Sequence, residues 1–444
     1  MKLIYNVKDK PKFGQLIVFA IQQLLAIMAA TLVVPIIIGN GMQPTAALFG
    51  AGIGTLVYIL FTKAKSPVFL GSSFAFLGSM AAAFAGAVSV QAGYAGLIIG
   101  TVFAGLVYVT IALIVKFAGV EWINKLMPAQ VIGPTVSIIG LSLAGNAIGD
   151  LQSGGFKIEG VSQANVFVAL ICGLTALFVA MICSVYGKKT VKLIPFIIGI
   201  LSGYIVASVF TIIGLKTGNN NLVVIDFSVF ENIKLFALPE FTFLTAVKGV
   251  NDIDGAYIAS LAVAYIPVAF VVFAEHIADH KNISSIIESD LLEEPGLHRT
   301  LLGDGIGSMA GAIFGGCPNT TYGESVACVA ITGNASVYTT ITAAVAAILI
   351  AFIQPFVAFV NSIPACIMGG ICVALYGFIA VSGLKMIQKV DLENNANLFT
   401  VSVILIAGIG GLALNFGAVT ITSIATALLL GIFTNIILSR KKKA

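Results

Sequence analysis

The chain has 444 residues, of which 59% are hydrophobic and only 9% are charged, and its mean hydropathy is +1.06. A soluble globular domain carries about 25% charged residues, so a soluble fold of this size is excluded. The net charge of +4 does not indicate a nucleic-acid partner, because the basic residues are better explained by membrane orientation.

The apolar runs predict an all-α polytopic membrane protein in a lipid bilayer. Each run is roughly 20 residues long, which is enough to span a bilayer as a helix. We predict about fourteen crossings, which begin near Gln15, Ala46, Pro67, Gly93, Pro128, Asn165, Leu193, Tyr257, Leu301, Cys317, Val337, Pro364, Leu398 and Val419. The polar and basic N-terminal stretch lacks the short apolar region of a signal peptide. The six cysteines lack CxxC spacing, so we expect small buried residues and no disulfide or metal role.

The basic residues predict the orientation. When the N-terminus is placed in the cytoplasm, nineteen of the 23 Lys and Arg residues lie on the cytoplasmic side, including those of the tail "RKKKA". Only Lys157, Lys216, Lys234 and Lys248 lie outside. This bias fits the positive-inside rule for an even number of crossings. We therefore predict a multi-pass protein of the plasma or inner membrane with both termini in the cytoplasm.

Three short motifs recur in the same order along the chain. The matches are "GAGIGT" with "GDGIGS", "SSF" with "TTY", and "MPAQVIG" with "IPACIMG", at offsets of 253, 248 and 236 residues. Each match alone is weak, because small residues are common in membrane helices. Together they predict two repeats of seven segments each. Because seven is odd, the two repeats must be inverted relative to each other, which is a plan of secondary transporters.

The third and tenth segments are predicted to be broken by short extended stretches. They begin with "PVFLGSSFAF" at Pro67 and "CPNTTYGE" at Cys317, in which Pro, Ser and Thr disfavour helix. Six extended residues cover roughly 20 Å. Because the two segments enter the membrane from opposite faces, their extended stretches bring Phe74 and Tyr322 to a similar depth. Two half-helix N-termini would then point their free N–H groups at one central spot. The alternative is that both segments are continuous helices that are kinked at Pro and Gly residues, with their Ser and Thr side chains packed inside the bundle.

Two glutamates are candidate functional acids inside the membrane. Glu324 follows the tenth-segment break, and Glu275 follows a strongly apolar run in "VAFVVFAEHIADHKNIS". A buried ionisable group is costly and is by default a functional hypothesis. We expect burial and mutual repulsion to favour proton uptake by at least one of them. The sequence leaves open whether Glu275 lies deep in the membrane or at the cytoplasmic end of its helix.

The neighbouring polar residues have less specific interpretations. Asp279 either relays protons or marks the membrane interface, and the interface is slightly favoured. Asp304 is interpreted as a structural acid. His276 and His280 have the i,i+4 spacing of metal ligands, but no third ligand is evident, so we expect no metal and no cofactor.

The quoted segments resemble a known family over essentially the whole chain. "FAEHIADH", "GSSFAF", "PACIMGG" and the long block "DLLEEPGLHRTLLGDGIGSMAGAIFGGCPNTTYGE" are similar to the nucleobase–ascorbate transporter family, and most similar to its bacterial uracil permeases. The resemblance implies proton-coupled nucleobase uptake, a homodimer and fourteen spans in two inverted repeats. It also implies a core domain (residues 1–118 and 217–360, spans 1–4 and 8–11) and a gate domain (residues 119–216 and 361–444, spans 5–7 and 12–14).

The resemblance also implies the residues of the binding site. Glu275 and Glu324 become the side-chain ligands of the nucleobase, and Phe74 and Gly323 supply backbone N–H groups. The full predicted substrate-binding set is Glu275, Glu324, Phe74, Gly323, Tyr322, Ser73 and Ser325. The predicted proton-coupling set is Glu275, Asp279 and His276.

Three positions depart from the pattern of the family or of some of its members. Many relatives have Asn where Ser325 stands and Gly where Ala327 stands, and a well-known type of uracil permease has His where Asp279 stands. A relay through Asp279 would therefore use a carboxylate.

The chemistry of the site is consistent with a nucleobase. A uracil ring offers two N–H donors and two carbonyl acceptors, which match carboxylates and half-helix amides respectively. Xanthine, uric acid and other purines offer similar edges and remain alternative substrates. A nucleobase channel is a further alternative, although a channel does not require paired buried carboxylates. An intramembrane enzyme is not expected, because no nucleophile–base or metal constellation is evident.

Overall fold

The computed structural model describes residues 3–119, 122, 126–153, 157–158, 161–162, 164–231, 233–416 and 419–439. The predicted basic tail, together with Lys2 and Lys125, lies outside the described residues. Within them the chain is mostly helical, and eight helices are long and apolar enough to cross a membrane. The prediction of a helical, multi-pass membrane protein is confirmed at this level.

The N-terminal part of the chain contains nine α-helices among its described residues. They are α1 Phe13–Ile38, α2 Pro44–Phe61, α3 Leu77–Ala85, α4 Val90–Ala118, α5 Ala129–Ser142, α6 Ala144–Gln152, α7 Val166–Tyr186, α8 Lys189–Leu193 and α9 Pro195–Thr217. Its short strands are β1 Leu70–Ser72, β2 Lys157–Ile158 and β3 Val161–Ser162. A 3₁₀ turn, Phe74–Phe76, connects β1 to α3.

The C-terminal part has the same character. Its helices are α10 Thr242–Ala246, α11 Gly255–Ile287, α12 Leu297–Gly315, α13 Gly323–Thr332, α14 Val337–Ile350, α15 Gln354–Asn361, α16 Ala365–Ile387, α17 Asn395–Ile409 and α18 Ser423–Ser439. Its strands are β4 Asn319–Thr321, β5 Leu414–Phe416 and β6 Val419–Ile421. Short 3₁₀ turns cover Asn220–Leu222, Phe227–Phe230 and Val247–Asp252, and a π-helical turn, Leu292–Gly296, leads into α12.

Helices α2 and α12 pack against each other through glycines of the repeated motifs and through Gly311, three residues beyond the second motif. A Cβ atom at Gly54 would lie 2.7 Å from the carbonyl oxygen of Gly307, and one at Gly311 would lie 3.0 Å from that of Gly50. Any larger side chain would push the two helix backbones apart. The motifs "GAGIG" and "GDGIG" therefore permit a backbone-to-backbone crossing of the small-xxx-small kind.

Strands β1 and β4 pair antiparallel in the middle of the bundle. Leu70 pairs with Thr321 and Ser72 pairs with Asn319, and all six strand residues are buried. Each strand precedes a short helix, α3 or α13, so both predicted breaks are extended stretches followed by helices of nine and ten residues. The alternative of two kinked continuous helices is wrong.

Backbone polar groups at this depth have specific partners. The N–H of Leu70 donates to Oγ1 of Thr55 at 2.9 Å, and the N–H of Asn319 donates to Oγ of Ser308 at 2.9 Å. The N–H of Ser73 donates to the carbonyl oxygen of Pro318 at 2.8 Å. Irregular backbone is tolerated inside a membrane protein only where its polar groups are satisfied or line a cavity. These bonds fix the strand pair in the core.

Candidate functional site

A cavity of about 410 Å³ lies between the paired strands and the helices α5, α9, α11, α13 and α16. Its wall on the strand side consists of Ser73, Phe74, Ala75, Thr320, Thr321, Tyr322, Gly323, Glu324 and Ala327. Helix α11 contributes Glu275, Ala278, Asp279 and Asn282. The third wall consists of Val136, Ile139, Phe196, Leu375, Phe378, Ile379, Ser382 and Met386. The volume is in the usual range for a small-molecule site.

One face of α11 presents its polar residues to the cavity. Glu275, Ala278, Asp279 and Asn282 follow the i, i+3, i+4, i+7 spacing of a single helix face. Helix α11 continues to Ile287, about three turns beyond Glu275. Of the two depths that the sequence allowed, the structure therefore has Glu275 within the helix and away from its end.

Asp279 is buried beside the strand pair. Its side chain is 8% exposed, and its Oδ2 accepts a hydrogen bond from Oγ1 of Thr321 at 2.9 Å. Asp279 therefore lies inside the bundle at the cavity wall, because α11 continues about two turns beyond it.

Two helix starts face the cavity without a side-chain cap. Ser73 is the N-cap of the 3₁₀ turn that begins at Phe74, and Tyr322 is the N-cap of α13. Neither side chain accepts a hydrogen bond from the turn that follows it. The first N–H groups of a helix have no partner within the helix. These N–H groups, with the partial positive charge of the helix start, suit carbonyl oxygens or the carboxylate of Glu324.

Tyr322 joins the two strands through its side chain. Its hydroxyl donates to the carbonyl oxygen of Ser72 at 2.6 Å, and its ring packs directly over Gly71. A Cβ atom at Gly71 would collide with the Tyr322 ring and would lie 2.9 Å from Oγ1 of Thr31. Glycine at this position is therefore needed for Tyr322 to lie between β1 and the cavity.

Ser325 does not line the cavity. It is fully buried behind α13, where its Oγ accepts bonds from the backbone N–H of Phe69 at 2.9 Å and from Nε2 of Gln23 at 2.6 Å. Six of the seven predicted substrate-binding residues line the cavity, and Ser325 is the exception. The successive residues Glu324 and Ser325 lie about 100° apart around the helix, which turns the serine towards α1 and β1.

His276 also lies behind the cavity wall. Its Nδ1 is 2.7 Å from Oδ2 of Asp304 and its Nε2 is 3.0 Å from Oγ1 of Thr300. The ring of His280 stacks on that of His276 at 4.0 Å and bonds to Tyr58. The ring nitrogens of both histidines are thus engaged by protein atoms, which accounts for the i,i+4 histidine pair without a metal. Of the two carboxyl oxygens of Asp304, only Oδ2 has a hydrogen-bond partner among the described residues.

The third wall of the cavity is apolar where it is deepest. Val136, Ile139 and Leu375 are buried and close that end, and the ring of Phe74 meets Tyr376 edge-on at 5.9 Å. Five lining residues are exposed, namely Asn282, Gly323, Ala327, Phe378 and Ser382, and of these Asn282 and Ser382 lie near the C-terminal ends of α11 and α16. The cavity is therefore open towards the C-terminal ends of α11 and α16.

The electrostatic character of the cavity is acidic. Three carboxylates line it, and its described lining residues include no Lys, Arg or His. Carboxylates accept hydrogen bonds from N–H donors, whereas the helix starts donate to carbonyl groups. The arrangement suits a small, flat, polar ring with alternating donors and acceptors.

Several lining residues were not predicted from the sequence. Asn282 could have been found, because it is polar and lies at i+7 from Glu275 on the same helix face. Thr321 could have been proposed as a neighbour of Tyr322. The residues of α5, α9 and α16 that form the apolar wall could not have been predicted, because their sequence does not differ from that of other packed membrane helices.

Comparisons with known proteins find relatives over nearly the whole chain. Residues 14–416 match the model of a family described as the permease family. The uracil permease of Bacillus caldolyticus is 37% identical over 446 residues, covering 100% of this chain and 96% of the relative. The uracil permease of Escherichia coli (strain K12) is 34% identical over 434 residues, covering 97% of this chain and 93% of the relative.

Two solved structures share the fold. The transmembrane domain of the cyanobacterial bicarbonate transporter BicA superposes with a TM-score of 0.64 at 16% identity, covering 97% of this chain and 99% of that domain. The murine anion transporter Slc26a9 superposes with a TM-score of 0.70 at 10% identity, covering 98% of this chain and 69% of that chain. At these identities the likeness concerns the fold alone.

Proposed function

Because this chain belongs to the permease family, which its residues 14–416 match, we propose that it imports a nucleobase, uracil in the first place, by proton symport with alternating access. The full-length relatives named uracil permease support the substrate class. The observation that carries the proposal is the convergence of three carboxylates and two uncapped helix starts on one cavity.

The cavity is chemically complementary to a pyrimidine ring. The carboxylate of Glu324 and the carbonyl oxygen of the protonated Glu275 carboxyl group accept from the two ring N–H groups. The N–H groups of Phe74 and Gly323 donate to the ring carbonyls. The aromatic side chains of Phe74 and Tyr322 line the same space and can pack against the ring faces. Ser73 is buried beside them, and its Oγ has no protein partner among the described residues.

The carboxylates have different surroundings and therefore different proposed roles. Glu324 lies in the first turn of α13, where the positive end of the helix dipole favours its charged form. Glu275 lies in the middle of α11 without such help, so it is the proposed carrier of the coupled proton. Asp279, held by Thr321, is the second proposed proton group. His276 and its partner Asp304 do not line the cavity, so a part for His276 in proton coupling would be indirect.

The proposed transport cycle uses the fourteen-span plan with two inverted repeats. The antiparallel pairing of β1 with β4, each followed by a short helix, supports a two-fold relation between the halves. The core domain (1–118 and 217–360) would carry the strands and acids, and the gate domain (119–216 and 361–444) would supply the apolar wall. Substrate between the two domains would be exposed to each side in turn as they move. A homodimer is part of the same proposal.

The open end of the cavity is proposed to face the cytoplasm. It lies at the ends of α11 and α16, near Lys281 and Lys385, which the charge bias assigns to the cytoplasmic side. Both termini are proposed to lie on that side of the cell membrane. One contact supports this for the N-terminus. Tyr5 forms a β-bridge with Asn334, which follows the C-terminal end of α13, and α13 also lines the cavity.

A binding screen on the purified protein tests the substrate. Uracil, thymine, xanthine, uric acid and hypoxanthine should be titrated at two pH values. Uracil is expected to bind most tightly, and more tightly at the pH that protonates the carrier. Preferential binding of xanthine or uric acid would replace uracil by a purine, and binding of none would refute the nucleobase assignment.

A further inference from the structure

Three residues that each carry a buried oxygen atom without a partner line a second, very small cavity outside the substrate cavity. The atoms are the hydroxyl oxygen of Tyr108 on α4, Oδ1 of Asp304 on α12 and Oδ1 of Asn319 on β4. The three residues are 4%, 1% and 2% exposed, and none of the three atoms has a hydrogen-bond partner among the described residues. Burying a polar group without a partner costs about 1–3 kcal/mol, so three such atoms on the lining of one cavity call for a partner within it.

Each of these residues is already held in place by its other polar atoms or its ring. Oδ2 of Asp304 is bonded to His276 at 2.7 Å. The N–H of Asn319 donates to Ser308 at 2.9 Å, and its Nδ2 donates to the carbonyl oxygen of Gly50 at 3.1 Å. The ring of Tyr108 meets that of His276 edge-on at 6.2 Å. The three free oxygens therefore cannot turn away to find other partners without breaking these contacts.

The space between them has room for one very small species. The cavity volume is about 10 Å³, and the rest of its lining is apolar apart from Ser308: Phe76, Ala104, Gly105, Val272 and Gly305. A buried water needs roughly 10–15 Å³ measured in this way and usually makes about three hydrogen bonds.

We propose that this cavity is a binding site for a single ordered water molecule. The water accepts a hydrogen bond from the hydroxyl of Tyr108 and donates one each to Oδ1 of Asp304 and Oδ1 of Asn319. This assignment satisfies all three atoms, whichever of Asp304 and His276 holds the proton between them, because Oδ1 of Asp304 accepts in both cases.

A monovalent cation of similar size fits the site less well. It would bind the two acceptor oxygens, but it would leave the hydroxyl hydrogen of Tyr108 without an acceptor in apolar surroundings. The donor and acceptor balance therefore selects water.

The water has a positional role in the fold. It ties Asn319, the first residue of β4, to α4 and α12. Two residues further along β4, Thr321 donates to the cavity carboxylate Asp279. The water thus helps to hold the strand that supports the substrate cavity, and this role does not depend on which substrate is carried.

The test is a structure of the purified protein at a resolution that resolves ordered waters, together with two matched variants. Tyr108→Phe removes the proposed donor. Tyr265→Phe is the control, because the Tyr265 hydroxyl is also buried without a protein partner among the described residues but does not line this cavity. The wild type and Tyr265→Phe are expected to show a density peak within hydrogen-bond distance of the three oxygens, and Tyr108→Phe is expected to lose or weaken it.

Thermal unfolding supplies an independent readout. Tyr108→Phe is expected to lower the unfolding midpoint by on the order of 2 °C, and Tyr265→Phe is expected not to lower it. The wild-type midpoint should be equal in sodium chloride and choline chloride at matched ionic strength. An empty cavity in the wild-type density would overturn the proposal. A sodium-specific stabilisation that Asp304→Asn abolishes and Tyr108→Phe retains would overturn it in favour of a cation.

Discussion

The side-chain oxygen of Ser325 accepts a hydrogen bond from the backbone N–H of Phe69 over 2.9 Å. This bond joins α13, which carries Glu324, to the segment that leads into β1. Gln23 of α1 donates to the same oxygen at 2.6 Å, so three elements meet at one buried hydroxyl. A serine at this position therefore supports α13 from behind and does not line the cavity.

Replacing Ser325 by Ala should destabilise the protein. The substitution leaves the Phe69 N–H and the Gln23 amide buried without an acceptor, at a cost of about 1–3 kcal/mol in the free energy of unfolding. Ser73→Ala is the matched control for stability, because the Ser73 hydroxyl is buried without a partner among the described residues. Denaturation of both variants in the same detergent checks this. Equal stability of Ser325→Ala and Ser73→Ala would show that the buried hydroxyl contributes nothing.

The two glutamates should respond differently to neutralisation. Glu324→Gln removes a charged acceptor, so uracil binding should weaken at every pH, by roughly 10- to 150-fold for a bond of about 1.5–3 kcal/mol. Glu275→Gln mimics the protonated carrier, so it should retain binding, lose its pH dependence and fail to concentrate substrate. Calorimetric titration of both variants between about pH 5 and about pH 9 distinguishes the two roles. A flat profile for Glu324→Gln with a wild-type profile for Glu275→Gln would reverse the assignment.

The close approach of Tyr322 to Gly71 predicts a sensitive position. Gly71→Ala introduces a Cβ atom into the Tyr322 ring, which must move and lose its bond to Ser72. We expect substrate binding to fall by at least about tenfold, which corresponds to about 1.4 kcal/mol. Gly78→Ala in α3 is the control, because no atom lies within 4 Å of a Cβ atom there. Alanine at that helical position should be neutral or stabilising by up to about 1 kcal/mol. Comparable losses in both variants would argue against the contact.

The N-terminal residues form a strap across the far end of α13. The N–H of Ile4 donates to the carbonyl oxygen of Gly333 at 2.7 Å, and the N–H of Ala335 donates to that of Tyr5 at 2.9 Å. Ser336 Oγ donates to the carbonyl oxygen of Asp9 at 2.6 Å. Removal of residues 1–10 should therefore loosen the helix that carries Glu324.

Hydrogen exchange of residues 323–337 measures this loosening directly. Faster exchange in the truncated protein, together with weaker uracil binding, is the expected result. The point variant Ser336→Ala, which removes only one strap bond, should give a smaller change of the same sign. Unchanged exchange after truncation would mean that α13 is held by the bundle alone.

The sequence predicted the parts of the site that depend on helix breaks and on acidic residues within apolar segments. Carboxylates in apolar runs identified Glu275 and Glu324, and the Pro, Ser and Thr clusters identified the extended stretches that form β1 and β4. The neighbours of these residues were harder to assign. His276 and Ser325 directly follow the two glutamates, yet each is rotated by about 100° around its helix and faces away from the cavity.

The remaining parts required the tertiary structure. The depth of Asp279 depends on where α11 ends, and hydropathy alone did not decide that. The apolar wall of Val136, Phe196 and Phe378 has the composition of any membrane helix, so its role follows only from the packing of distant segments. The grouping of Tyr108 with Asp304 and Asn319 likewise joins α4 to the consecutive elements α12 and β4, which lie far from α4 in the sequence.

Uracil uptake into proteoliposomes under an imposed proton gradient tests the central proposal most directly. The purified protein should accumulate uracil above its external concentration when the proton gradient is directed inward, and a protonophore should abolish the accumulation. Glu275→Gln liposomes prepared in parallel should equilibrate uracil at most. Accumulation that follows a sodium gradient and ignores protons, or the absence of any uracil uptake, would contradict proton-coupled uracil transport.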